Sequence, residues 1–211
     1  MTDGRFITFE GGEGAGKSTQ VRLLAESLRG RKPEVVLTRE PGGADGAEAI
    51  RSLLVSGAVD RWDARTEALL HSAARRDHLV RTVWPALERG AWVICDRFAD
   101  STLAYQGYGH GLDRTLIEQL AEVTMGRFRP DLTLILDLPV EEGLKRAGGR
   151  GGAEDRYERM GLDFHQRLRQ GFLAIAAAEP RRCAVIDAAR PPEAVHQDIL
   201  AAITTRLDSS A

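Results

Sequence analysis

The sequence predicts a doubly wound α/β fold, a five-stranded parallel sheet with helices on both faces. Three observations predict it. Five apolar runs recur along the 211 residues, too short for helices and near-continuous rather than alternating, as in strands buried on both faces. Segments of helical periodicity separate most of these runs. The first run also leads directly into a glycine-rich string that opens a helix.

In chain order, the expected strands are 6–9, 34–38, 92–96, 132–137 and 184–187. The expected helices are 17–29, 44–56, 64–89, 114–125, 162–178 and 192–206. Pro85 interrupts the longest of them, because it has no backbone N–H and clashes with the preceding turn, so a kink or break is expected there. The run Ala147-Gly148-Gly149-Arg150-Gly151-Gly152-Ala153 reads as a loop between helices.

Composition bounds the rest. The length suits one domain covering 1–211, and such a chain buries roughly 70% of its unfolded surface without needing a disulfide or metal. A net charge of −2, from 29 basic and 31 acidic side chains, argues against non-specific nucleic-acid binding. No apolar run approaches the ~18 residues of a membrane span. The N-terminal residues lack the features of a signal peptide. Cys95 and Cys183 stand far apart and suggest neither a disulfide framework nor a zinc site. The expected location is the cytoplasm, with no nucleic-acid or membrane partner.

The string Gly11-Gly12-Glu13-Gly14-Ala15-Gly16-Lys17-Ser18, followed by Thr19, is G-x-x-x-x-G-K-S between a strand and a helix. Its glycines let the backbone wrap a phosphate chain and turn N–H groups inward. The helix start adds its positive dipole end. Lys17, one of only three lysines beside Lys32 and Lys145, supplies a point charge for the β- and γ-phosphates, and the Ser18 hydroxyl suits Mg²⁺. ATP binding is expected at residues 11–19.

Other strand ends decide what happens to the nucleotide. The chain contains no Asn-Lys-x-Asp guanine reader. Strand three ends in Asp96-Arg97, an acid suited to Mg²⁺ or its water beside a fixed cation. A phosphate-monoester acceptor has a second pKa near ~6 and is largely a dianion at neutral pH, so it needs no general base. The obstacle is charge repulsion, and the remedy is Mg²⁺ with guanidinium groups. Arg39, Arg75, Arg97 and Arg150 fit such a site, since guanidinium forks match phosphate oxygens. The pattern favours a P-loop fold of the nucleoside monophosphate kinase type.

The segment Ile94-Cys95-Asp96-Arg97-Phe98-Ala99-Asp100-Ser101-Thr102-Leu103-Ala104-Tyr105-Gln106-Gly107 resembles the signature of thymidylate kinases. Thr38-Arg39-Glu40-Pro41-Gly42-Gly43 and the opening from Phe9 to Gln20 resemble the bacterial members. The resemblance implies transfer of the ATP γ-phosphate to dTMP, giving dTDP and ADP, with Mg²⁺ and usually by a homodimer. It implies that Arg97 bridges donor and acceptor phosphates, and that Arg39 and Arg75 hold the acceptor phosphate. Glu13 lies near the acceptor sugar and phosphate on this reading. Arg51, Gln106 and Thr102 meet the thymine edge, and Tyr105 lies against the deoxyribose. Ser18 and Asp96 serve the metal.

Family members place a further catalytic arginine in the phosphate loop or in a lid. This loop has none, so the resemblance assigns it to a lid at about 146–158, with Arg146, Arg150 and Arg156 as candidates. One position departs from the pattern. His71 stands where the family generally stacks a phenylalanine on thymine; imidazole is smaller and can gain charge near pH 6.5, which suggests a dTMP affinity that is weaker or pH-dependent. The rival readings are a kinase for another pyrimidine monophosphate (UMP or CMP), a deoxynucleoside kinase using Glu10 or Glu13 as base, and a non-catalytic nucleotide switch.

Overall fold

A computed structural model describes residues 4–148 and 155–207. Five parallel strands, β1 (Arg5–Glu10), β2 (Val35–Arg39), β3 (Trp92–Asp96), β4 (Leu132–Asp137) and β5 (Cys183–Asp187), form one sheet in the order β2-β3-β1-β4-β5. The three central strands are the continuous apolar runs, because both of their faces are covered. The edge strands β2 and β5 carry exposed residues such as Leu37 and Val185.

Alternation along β1 divides the core. Ile7 and Phe9 face α1 (Lys17–Leu28) and α9 (Pro192–Leu207), where Leu24, Ala25, Ile199 and Ile203 close one layer. Phe6 faces the opposite layer, where Leu79 and Val83, between α3 (Ala64–His78) and α4 (Trp84–Glu88), join Ala86 of α4 and Met125 of α6 (Arg114–Met125). On the same side Ile135 of β4 packs against α8 (Leu162–Ala178) through Leu168, Phe172 and Ile175. Helix α2 (Asp45–Leu54) packs on α3.

The expected helix 64–89 is interrupted, as Pro85 requires. A π-helical stretch, Leu79–Val83, joins α3 to α4, and Pro85 falls in the first turn of α4, where its missing N–H is tolerated. Two helical segments were not expected. One is α5 (Ala99–Thr102) with the π-helical stretch Leu103–Gly109; the other is α7 (Val140–Gly148). The π stretch is held by packing rather than propensity. A Cβ at Gly109 would lie 2.5 Å from the Phe164 ring, and one at Gly171 would lie 2.7 Å from Tyr108. Among the described residues, no helix is long and apolar enough to cross a membrane.

Gly14 and Gly143 bring α7 directly onto the phosphate loop. A Cβ on Gly14 would run into the Gly143 carbonyl, and one on Gly143 into the Glu13 carbonyl. Helix propensity alone favours alanine over glycine by about 1 kcal/mol at an interior helical site. Backbone cannot yield as a side chain can, so the clash outweighs this gain. Gly143→Ala is expected to lower stability by about 1–3 kcal/mol and to weaken nucleotide binding with it, measured by denaturant unfolding and ATP titration.

Candidate active site

The sheet's strand order reverses at β1, and the carboxyl ends of β1 and β3 converge on the glycine-rich loop. Gly11, Gly14 and Gly16 have φ of 130°, 69° and 87°, values that favour glycine and allow the loop to turn into α1. Lys17 donates to the carbonyls of Gly11 at 3.1 Å and Gly12 at 2.7 Å. Burial and the nearby Arg97 charge push its ammonium down to about 8. The Ser18 hydroxyl donates to Asp96 Oδ2 at 2.7 Å, so the two residues expected to serve a metal meet at the strand edge.

Arg97 occupies an uncommon backbone position, with φ of 68° outside glycine. Its N–H donates to the Phe9 carbonyl at 2.8 Å, and Glu10 secures the following residues. One Glu10 oxygen accepts from the N–H groups of Phe98 at 2.8 Å and Ser101 at 3.2 Å; the other accepts from the Ser101 hydroxyl at 2.6 Å. Burial, assisted by the Asp100 charge, pushes the Glu10 carboxyl up to about 8.

The Arg97 guanidinium donates to the Gly11 carbonyl at 2.9 Å and pairs with Glu13 at 3.0 Å. Glu13 also accepts from the Tyr105 hydroxyl at 2.5 Å. Burial disfavours the Glu13 charge, but Arg97, Lys17 and the Tyr105 hydrogen bond outweigh it and bring the carboxyl down to about 2.

Two connected spaces open here. A polar cleft is bounded by Glu13, residues 14–18, Arg39, Arg51, Asp96 and Arg97. Beyond it lies a cavity of about 130 Å³, lined by Arg51, His71, Arg75, Arg97, Tyr105, Gln106 and Tyr157 among others. A third groove, between residues 14–16, Thr19, Gln20, Arg146 and residues 188–192, continues from the outer side of the loop. Sequence reasoning did not find the 188–192 wall, since a short turn after an edge strand carries no chemical signature.

Arg75 and Arg51 both line the inner cavity, at different depths. Arg75 is buried beside the inner cavity and donates to Glu40 at 2.8 Å, the Phe98 carbonyl at 3.1 Å and the Thr102 hydroxyl at 3.0 Å. Arg51 lines both the inner cavity and the polar cleft, and it donates to the Pro41 carbonyl at 2.8 Å. Thr102 is buried behind Arg75 rather than lining the cavity. Arg39 is exposed at the cleft and pairs with Glu48 at 3.1 Å.

Arg156, one of the expected catalytic arginines, is fully buried. It pairs with Glu67 and donates to the carbonyls of Leu54, Ala58 and Val59 at 3.2, 2.9 and 2.8 Å. Its guanidinium ties the chain beginning at residue 155 to the α2–α3 connection, with these contacts engaging its N–H groups. Arg150 lies outside the described residues. Arg146 donates to the Ala188 carbonyl at 3.2 Å and pairs with Glu142.

His71 also departs from expectation. Its Nε2 lies 3.0 Å from the Tyr157 hydroxyl. Burial and the charges of Arg75, Arg97, Arg156 and Arg51 push the imidazole down to about 3. It is thus neutral from pH 5.5 to 8, and a charge change near 6.5 does not arise. The buried acids Glu40 and Glu67 were missed by sequence reasoning because their partners lie 35 or more residues away.

Two outcomes follow from this geometry. Glutamine can keep both N–H bonds on its Oε1 and donate from its amide nitrogen to the Ser101 hydroxyl, reversing that one bond, so Glu10→Gln is expected to keep the fold, whereas Glu10→Ala strands two buried N–H groups and costs about 1–3 kcal/mol each in unfolding experiments. Folded His71 resists protonation while the unfolded residue titrates at its ordinary 6.5. Its stability contribution is therefore complete above pH 6.5 and lost as pH falls toward 3. His71→Phe is expected to flatten the stability profile over that window, followed by thermal unfolding against pH, and to leave the pH dependence of ligand affinity between 5.5 and 8 unchanged.

The chain is similar to known proteins over nearly its whole length. The family model described as Thymidylate kinase matches residues 9–199. A thymidylate kinase of Caulobacter vibrioides is 58% identical over 207 residues, covering 98% of this chain and 99% of its own. One of Ruegeria pomeroyi is 53% identical over 205 residues, covering 97% of each. The crystal structure of thymidylate kinase from Ehrlichia chaffeensis superposes with a TM-score of 0.79 at 38% identity, covering 95% of this chain and 98% of that one. Phosphate loop, arginine-bearing strand end and nearly full-length likeness agree, and the chain belongs to the thymidylate kinase family.

Proposed function

We propose that this chain transfers the γ-phosphoryl group of ATP to the phosphate of dTMP, giving ADP and dTDP, as a Mg²⁺-dependent single-domain enzyme. The observation that carries the reading is Arg97, which lines both the polar cleft and the inner cavity. Glu10 is occupied by three donors, and Glu13, held down to about 2, is a poor base. A hydroxyl acceptor would need a base. A phosphate dianion needs only positioning and charge neutralisation.

On this reading the thymine enters the inner cavity against His71, with Arg75 and Gln106 at its edge and Tyr105 beside the sugar. The acceptor phosphate reaches the cleft, where Arg39, Arg51 and Arg97 meet it and Glu13 orients Arg97. The phosphates of ATP lie on residues 11–19, with Lys17 drawn from its carbonyls to the β- and γ-oxygens. The adenine side follows the groove toward residues 188–192. With Arg156 engaged elsewhere, Arg150 is the lid arginine of this proposal.

Ser18 and Asp96 offer hard oxygen donors 2.7 Å apart, a set that suits Mg²⁺ when phosphates and water complete its shell. No cluster of three or more metal-ligating side chains exists among the described residues, which agrees with a metal that arrives with the nucleotide. When bound, Mg²⁺ neutralises the β- and γ-phosphate charge. Homodimer formation is supported by exposed Leu53, Leu69, Val80 and Val123 on α2, α3 with its π extension, and α6. The proposed location is the cytoplasm.

ADP release with Mg-ATP, tested against dTMP, dUMP, UMP, CMP, AMP and thymidine, is expected to be fastest with dTMP. Arg97→Lys loses the planar fork and is expected to lower kcat by about 100-fold or more with a smaller change in dTMP affinity. Turnover of thymidine, or ADP release indifferent to any monophosphate, would overturn the proposal.

A further inference from the structure

We infer that Glu67 is a positioning residue for base selection: its carboxylate orients the Gln106 amide so that the pocket presents an acceptor to the ring and takes pyrimidines bearing an N3–H. The inference deepens the proposed function and rests on it. Gln106 is fully buried in the π-helical stretch and lines the inner cavity. Its Nε2 donates to Glu67 Oε2 at 3.0 Å, while its Oε1 has no hydrogen-bond partner in the protein.

An ionised carboxylate only accepts hydrogen bonds, whereas an amide has one donating and one accepting end. The nitrogen of Gln106 must therefore face Glu67. The reverse orientation would oppose two acceptors in a buried place, where an unmatched polar contact is most costly. Glu67 is itself fully buried and pairs with Arg156, whose other N–H groups hold three carbonyls; His110 Nε2 stands 3.6 Å away. Glu67 does not line the cavity, so it acts through Gln106.

The result is an orphan acceptor that a ligand must satisfy. Thymine and uracil bring a donor at N3. Cytosine brings a lone pair there, and a site built to hydrogen-bond one partner rejects an analogue that leaves its buried group unpaired. The π turn contributes by placing neighbouring Tyr105 and Gln106 on the same cavity, with the His110 N–H donating back to the Tyr105 carbonyl at 2.9 Å.

Glu67→Gln keeps the volume but gives residue 67 a donor, so the Gln106 amide is free to turn. The measurement is the Kd of dTMP, dUMP and dCMP, by competition, together with kcat for dTMP. The variant is expected to lose about tenfold of its preference for dTMP over dCMP while the dTMP-to-dUMP ratio is kept and kcat stays within about threefold. A dTMP-to-dCMP ratio within about twofold of wild type, or parallel weakening of all three ligands, would overturn the inference, since general loosening spares no nucleotide. Wild-type enzyme that turns over no dTMP would overturn the proposed function instead. If Glu67→Gln does not fold, Gln106→Met, which removes the amide and leaves the Glu67 and Arg156 pair, is expected to lose at least the same preference. Retained discrimination in that variant would also overturn the inference.

Discussion

A glutamate buried at the end of β1 holds the functional end of the molecule in register. Glu10 reaches across to the chain leaving β3 and accepts from two backbone N–H groups and a hydroxyl there. Those groups flank Arg97, whose left-handed backbone costs about 1–2 kcal/mol relative to an ordinary conformation. The strain persists because the surroundings over-determine it: Phe9 accepts the Arg97 N–H, Glu10 takes the next one, and Phe98 is sunk into the core against Phe6. The same β1 strand continues into the phosphate loop. The arginine and the loop are therefore placed by one structural joint, and neither can shift without the other.

Around that joint, charges are matched before any ligand arrives. Lys17 lies on the loop carbonyls, Arg97 on Glu13, and Arg39 on Glu48. Each pairing fixes a cation close to where phosphate oxygens are proposed to come. Glu13 has a second duty, since it ties Arg97 to Tyr105 and so joins the phosphate cleft to the inner cavity. Electrostatic preorganisation of this kind is the main means by which phosphoryl transfer is accelerated.

The legible and illegible parts of this molecule separate on physical grounds. β1, β3 and β4 were readable because burial on both faces leaves only apolar residues, and the phosphate loop because its chemistry demands glycines, a lysine and a hydroxyl in fixed order. Pro85 announced a break, and its missing N–H is met by a π-helical junction. The segment Ala99–Gly109 was readable as a family signature but not as helix, since Gly107 and Gly109 have poor helix propensity and the stretch depends on Phe164 and Tyr108 packing. Buried acids were illegible. Glu40 and Glu67 acquire meaning only from Arg75, Gln106 and Arg156, which the fold brings from far along the chain. Arginines at strand ends were recognisable as a class, but Arg51 and Arg75 could be told apart only by depth.

The contact between Gly14 and Gly143 has a consequence for how such a chain can diverge. With backbone against backbone, α7 is rooted on the phosphate loop, and on the far side of residues 149–154 Arg156 is rooted on Glu67 and the α2–α3 connection. Each root is made by residues outside that segment, Gly14, Gly143 and Glu13 for one and Arg156 with Glu67 for the other. Divergence at one root therefore acts on a contact that shares no residue with the other, so the two ends of the segment can change separately.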